Sequence, residues 1–215
     1  MRSLLALVLA LAVPALTLAE ETSTKTTFAK EQLGKLPDAW DRAQTGEGEA
    51  SAWKVVADAT APSKAGFALA QTAAAPKATF NLAVVKKGNF ENGTVSVKFK
   101  SVSGKIDQGG GVVWRYQDAK NYYVARYNPL EDNFRVYKIL NGVRMQLGTK
   151  EGLVFPAGEW HTLSITHDGK KITCAIDGKV HLEAEDDAIA KAGLVGLWTK
   201  ADAQTYFDEL DVKTK

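Results

Sequence analysis

The chain has 215 residues, with 27 Lys and Arg against 25 Asp and Glu, a net charge of +2 with histidines neutral. Neutralising a nucleic-acid backbone takes a stripe of positive charge, so this balance argues against nucleic acid as a partner. The single cysteine, Cys174, excludes an internal disulfide. In KITCAID it alternates with Ile172 and Ile176, the position of a buried, inert thiol.

Residues 1–19, MRSLLALVLALAVPALTLA, hold one arginine, an apolar run from Leu4 to Leu16, and Ala19 with Thr17 two before it. That pattern predicts a secretory signal peptide, too short and wrongly flanked for a membrane anchor. Residues 20–215 are then the mature chain, periplasmic or secreted. No other stretch approaches the roughly 18 apolar residues of a spanning helix, so no membrane span is expected. With one arginine removed, the mature chain is nearly neutral, and its length suits one domain with a full core.

Residues 20–30 are polar and Thr-rich, which predicts a loose lead-in, with Phe28 a candidate start for the first strand. Residues 35–53 carry Pro, Gly and Asp with Trp40 and Trp53, and read as irregular structure pinned by the two rings. Short strands follow at 54–58 and 67–71. The Ala-rich stretch 72–77 contains Pro76 and reads as a loop rather than a helical turn.

From residue 78 the period-2 signal is plain. A strand at 78–84 precedes NFENGT, whose Asn92-Gly93 favours a tight hairpin turn. In TVSVKFK, 94–100, Val95, Val97 and Phe99 face one way and Ser96, Lys98 and Lys100 the other. A glycine-rich connection, 103–111, leads into a central block with strands at 112–116, 122–128 and 133–140. These are joined by turns rich in Asp, Asn and Pro.

After that block come strands at 142–147, 160–167, 171–176 and 179–183. Asp168-Gly169 and Asp177-Gly178 mark two consecutive hairpins. A loop with an apolar anchor spans 152–158, DDAIAK at 186–191 predicts a helical turn, and strands at 193–199 and 205–213 close the chain. More than ten short strands at regular spacing indicate an antiparallel two-sheet sandwich of the all-β class.

The segments GGGVVWRYQDAKNYYVARYN, NGVRMQLG, GEWHTLSITHDGKKITCAIDGK and GLVGLWTKADAQTYFDELDV resemble the concanavalin A-like lectin/glucanase superfamily. More narrowly, the chain resembles bacterial exported laminin-G-like and 3-keto-disaccharide hydrolase-like (family-16-glycoside-hydrolase-like) domains, over nearly the whole mature sequence. The resemblance implies a jelly-roll of two curved sheets whose concave face binds sugars. It also implies that Asp208, in YFDELDV, stands where related glucanases hold Ca²⁺.

The central block supplies the candidate site. Sugars present apolar CH faces and dense hydroxyls, which suit aromatic platforms and Arg or Asn donors respectively. The expected set is Arg115, Tyr123, Arg126, Asn128 and Tyr137 holding hydroxyls, with Trp114 or Trp198 as stacking platform. Strand alternation places Trp114 and Arg115 on opposite faces, so both cannot face one ligand. An ordinary solvated face with core tryptophans explains the same residues. The acids and amides Asp118, Asn121, Asn128, Glu131, Asp132 and Asn133 could ligate Ca²⁺, although turn chemistry accounts for them equally.

Related glucanases carry Glu-x-Asp-x-x-Glu on one strand. The nearest acid cluster here, HLEAEDDA, lacks that spacing, and glycosidic cleavage needs two carboxyls at a defined separation. His161, His167 and His181 have no carboxylate at metal-ligand spacing. The expectation is therefore a monomeric, non-catalytic receptor for oligo- or polysaccharides. The alternatives are a hydrolase or lyase for a modified disaccharide, supplied with acids by Asp118, Glu131 and Asp202, and a laminin-G-like protein-interaction module.

Overall fold

A computed structural model of the chain describes residues 22–48 and 51–215; the expected signal peptide at 1–19 lies outside them. Fifteen strands form two antiparallel sheets. In chain order they are β1 (Thr22–Thr26), β2 (Trp40–Thr45), β3 (Trp53–Ala57), β4 (Phe67–Gln71), β5 (Phe80–Val85), β6 (Gly93–Ser103), β7 (Gly110–Asp118) and β8 (Asn121–Asn128). Then come β9 (Asn133–Leu140), β10 (Val143–Glu151), β11 (His161–Asp168), β12 (Lys171–Ile176), β13 (Lys179–Glu185), β14 (Leu194–Lys200) and β15 (Gln204–Thr214). The first sheet runs β13-β12-β11-β6-β15-β4-β3, with β1 also pairing β15; the second runs β10-β9-β8-β7-β14-β5-β2. The chain is a two-sheet jelly-roll sandwich of the concanavalin A-like kind.

The hairpins follow turn chemistry. Asn141-Gly142 and Asp177-Gly178 join β9 to β10 and β12 to β13, with φ of 53° and 81°, and 49° and 78°. Both residues of each pair are left-handed, which matches the right-handed twist of the strands they connect. Asn92-Gly93 behaves differently from the expected hairpin. It carries the chain from β5 in the second sheet to β6 in the first, and the Asn92 side-chain oxygen accepts from the Gly169 amide at 2.8 Å.

Two stretches expected to be irregular are strands. TSTKT forms β1 on the C-terminal half of β15, and WDRAQT forms β2 at the edge of the second sheet. Phe28 precedes a short 3-10 turn rather than opening a strand. The helical turn expected at 186–191 is a loop. Asp186 fastens it by accepting from the Tyr123 hydroxyl at 2.6 Å, the Lys138 ammonium at 2.5 Å and the Ala188 amide at 3.0 Å.

Between the sheets lies one core, with Trp53, Phe99, Trp114, Tyr123, Tyr127, Phe134, Leu163 and Phe207 all buried. Trp114 stacks on Tyr123 at 5.5 Å and 18°, and its indole N–H donates to His167 Nδ1 at 2.9 Å. Accepting at Nδ1 requires a neutral ring with its proton on Nε2. Burial, reinforced by the Arg115 charge, lowers the His167 pKa from 6.5 to about 4. The unfolded chain therefore binds a proton that the folded chain refuses, and stability contributed above pH 6.5 is lost as pH falls toward 4. Each pKa unit corresponds to about 1.4 kcal/mol, so His167→Phe should flatten the loss of stability across that window. Urea midpoints measured from pH 7 to 4 check this.

The second sheet carries a further apolar cluster on its outer face. Phe80, Leu82, Val84, Val113, Tyr122, Val124, Tyr137, Ile139 and Trp198 are buried there. The sheet covers itself by curling. β2 and β8 stand four strands apart, about 19 Å on a flat sheet, yet the Thr45 and Tyr122 hydroxyls meet at 2.8 Å. β10 and β5 stand five apart, yet the Arg144 guanidinium lies 5.1 Å from the Phe80 ring centre and 4.7 Å from that of Tyr137. The resemblance implies a concave face free to bind sugars, whereas most of this hollow is filled by its own side chains.

Candidate functional site

The register of the second sheet sorts the expected site residues. Tyr123 pairs with Trp114, and both point into the inter-sheet core, fully buried. They cannot touch a ligand on the outer face, which corrects their expected role. The Tyr123 hydroxyl is occupied by Asp186 and by the Ile189 amide at 3.1 Å.

Arg115 sits in the bulge of β7 with φ of 45°, where the register with β8 breaks between Trp114 and Asp118. A bulge re-aims the side chain. The Arg115 guanidinium, 2% exposed, donates to the carbonyls of Glu91 at 2.9 Å, Ile189 at 3.0 Å and Gly169 at 3.2 Å. It ties three loops together at one end of the sandwich and leaves the site.

Asp208 is also corrected. It is buried, and its two carboxylate oxygens accept the Ser63 amide at 2.9 Å and the Glu209 amide at 2.8 Å. Its oxygens fasten a loop of the first sheet. Among the described residues no group of three or more His, Cys, Asp or Glu gathers as a metal cluster would. Cys174 is buried and its thiol pKa is pushed up by that burial.

Four expected residues do share the outer face of the second sheet: Arg126, Asn128, Tyr137 and Trp198. In adjacent rows, Trp198 pairs with Gly111 and Gly111 with Arg126, while Asn128 pairs with Asn133 and Arg126 with Arg135. The glycine between Trp198 and Arg126 leaves the centre of the row without a side chain. It is required, because a Cβ at Gly111 would lie 2.0 Å from the Ala125 carbonyl oxygen of β8.

Arg126 is 2% exposed. Its guanidinium donates to the Asn133 side-chain oxygen, to Glu131 at 2.8 Å and to the Tyr137 hydroxyl at 3.4 Å. Arg135 reaches Glu131 at 3.5 Å and Glu151 at 3.1 Å. Burial alone would raise the Glu131 pKa, but the charge and hydrogen bond of Arg126 outweigh it and hold the carboxyl below its usual range. The site meets solvent on this side, where the side chains of Glu131, Arg135 and Glu151 are 40%, 27% and 56% exposed.

Two further groups belong to the face. Lys200 follows Trp198 by two positions on β14 and ion-pairs with buried Asp107 at 3.1 Å. Asp107 stands at the entry to β7, where its carboxylate also accepts the Gly109 amide at 2.8 Å. Asp202 positions that loop by accepting the amides of Lys105, Ile106 and Asp107 at 2.8 to 3.2 Å. Asp118, the other acid expected to serve an enzyme, binds Asn121 and the Lys120 amide within its own turn. Lys200 was legible from its spacing to Trp198; Asp107 had no sequence signal.

Three donors on this face have no acceptor among the described residues: Arg126 Nε, Asn128 Nδ2 and Trp198 Nε1. Trp198 Nε1 lies near the Tyr122 hydroxyl but outside hydrogen-bonding geometry. Buried donors are normally paired; Trp53 Nε1, His161 Nε2 and His167 Nε2 are likewise without partners elsewhere among the described residues.

The fold recurs in solved structures. The carbohydrate-binding module CBM66 of Bacillus subtilis matches with a TM-score of 0.63 at 16% identity, over 81% of this chain and 95% of that one. A Bacteroides ovatus mixed-linkage-glucan GH16 protein in complex with its product matches at 0.61 and 12%, over 88% and 99%. The Bacillus licheniformis β-glucanase matches at 0.59 and 14%, over 90% and 98%. A search of curated proteins gives no match. The sequence model of the 3-keto-α-glucoside-1,2-lyase-like domain matches residues 31–213. With that match across nearly the whole described chain, this protein belongs to the 3-keto-α-glucoside-1,2-lyase-like domain family.

Proposed function

We propose that the protein binds glucose-based saccharides on the outer face of its second sheet, without cleaving them. The observation that carries the reading is the set of buried, acceptor-less donors, Arg126 Nε, Asn128 Nδ2 and Trp198 Nε1, in the rows on either side of the side-chain-free Gly111. Sugar hydroxyls and carbonyls are acceptors of the kind such donors lack. Glu131, anchored by Arg126 and partly exposed, offers the matching carboxylate for hydroxyl protons. The family supports a saccharide with a ketone at C3, and the likeness to a carbohydrate-binding module supports binding as the task.

The pairing of the acids supports binding without turnover. Elimination across C1–C2 of a 3-keto glucoside needs a base for the C2 proton, acidified by the neighbouring carbonyl, and an acid for the departing C1 oxygen. Asp107 is paired with Lys200 and Glu131 with Arg126. Glu131 is held below the usual carboxylate range, which makes it a poor base at neutral pH. A second reading, elimination by the Asp107–Lys200 couple, is favoured by the family alone. Export to the periplasm or medium belongs to the first reading and rests on residues 1–19.

Calorimetric titration of the full chain with trehalose, sucrose and their 3-keto forms, with chromatography of the mixtures, tests both readings. Saturable binding without product supports the receptor. Release of a conjugated 3-keto enone supports elimination, and no heat with any of the sugars contradicts both.

A further inference from the structure

We infer that the protein has a second binding site, for a long-chain fatty acid, in a cavity between the sheets and apart from the saccharide face. The cavity, about 710 Å³, lies where β1 and the C-terminal half of β15 face the ends of β2, β5 and β14. Its walls are Trp40, Val85, Phe90, Val195, Leu210 and Val212. Its size falls within the roughly 300–1,000 Å³ of small-molecule sites.

The sequence explains why the space is empty of side chains. Register places Thr22, Thr24 and Thr26 of β1 beside Thr214, Val212 and Leu210 of β15, so the strand turns three short side chains toward the opposite sheet. Sheets pack about 10 Å apart, and threonine does not fill that span as the Phe and Trp of the neighbouring core do. Interiors are ordinarily close-packed; here a polar edge strand, its Thr22 and Thr24 exposed, flanks an apolar cleft that opens to solvent.

The chemistry of the lining selects the ligand. Polar groups within the chamber are mainly threonine hydroxyls, and those of Thr22 and Thr214 meet each other at 2.6 Å, which leaves little for a sugar. Lys86 and Lys87 stand exposed at the mouth. Lys86 makes a 3.5 Å pair with Asp41 between two exposed side chains, a contact readily exchanged for another carboxylate. Asp38 at the same mouth is the one opposing charge in the lining. An alkyl chain buried against the six apolar residues, with its carboxylate between the two lysines, satisfies both parts.

Titration of the full chain with cis-parinaric acid tests the inference, since Trp40 in the wall can transfer excitation to the bound polyene. Saturable, single-site enhancement displaced by oleate is expected. Val195→Trp, which fills the chamber, should weaken binding by about tenfold or more. The double variant Lys86→Glu/Lys87→Glu, confined to exposed positions, should weaken oleate by about tenfold and leave oleyl alcohol unchanged. Oleate should not compete with the saccharide. Absence of saturable binding, or binding that both variants leave unchanged, overturns the site; equal loss of oleate and oleyl alcohol in the lysine variant overturns the assignment of the carboxylate.

Discussion

Trp114→Ala lowers the unfolding free energy by about 3–5 kcal/mol, the range for removing a large aromatic from a packed core. The indole is fully buried, stacked on Tyr123 at 5.5 Å and set edge-on to His167. Its loss leaves a cavity that the sheets cannot close, because Tyr123 is tethered through Asp186 to Lys138 and the loop that follows β13. It also strips His167 Nδ1 of its donor inside the core. Trp114→Phe keeps most of the packing and loses only the hydrogen bond, so it should cost distinctly less. Urea unfolding of the three proteins checks the order. Equal midpoints for the parent and the alanine variant would contradict the placement of Trp114 between the sheets. Because the ring faces away from the second sheet's outer surface, whatever fraction remains folded should bind saccharide normally.

Arg126→Ala weakens saccharide binding by about 2 kcal/mol or more, the cost of truncating a central arginine anchor, or roughly thirtyfold. Three effects add. The unpaired Nε donor disappears, Glu131 loses the partner that orients it, and Asn133 loses its charge-assisted hydrogen bond. Arg115→Met is the matched control. That guanidinium also bonds several acceptors, but they are loop carbonyls at the sandwich end. Its replacement should lower the unfolding midpoint and leave the dissociation constant of the folded protein unchanged. Two arginines eleven positions apart thus separate a binding role from a structural one.

The strands were legible where one face is apolar and the turns are chemically distinct. β4, β9 and β12 occupy the residues that alternation and turn signals predict. β1 and β2 were not legible. TSTKT has no apolar residue to alternate, and WDRAQT packs Trp40 on one face and Ala43 on the other. DDAIAK reads as helical on composition, yet tertiary contacts to Tyr123 and Lys138 hold it as a loop.

For the site, the period of YYVARYN sets Tyr123, Ala125 and Tyr127 on one face and Tyr122, Val124, Arg126 and Asn128 on the other, so grouping Tyr123 with Arg126 and Asn128 runs against alternation. The pattern does not say which set faces the partner sheet. Polar residues at alternate positions suit a solvated face, because a doubly covered strand usually reads as a continuous apolar run. Here the covering groups are themselves phenols and guanidiniums, brought over the hollow from strands four and five places away. Curl of that kind arises from the whole sheet and has no signature in any single strand. The bulge at Arg115 is equally silent, since arginine is not a residue that ordinarily marks a positive φ.

The most direct test of the central claim is a nitrogen-15 correlation spectrum of the full chain during titration with a 3-keto disaccharide, with Arg126 Nε–H, the Asn128 side-chain amide and Trp198 Nε1–H assigned. Shifts in those three signals, with Trp114 and Trp160 indoles unmoved, are the predicted result. Binding accompanied by shifts of the indole of Trp160, which precedes β11 and donates to the Thr60 hydroxyl, and none at Arg126 or Asn128, would contradict it.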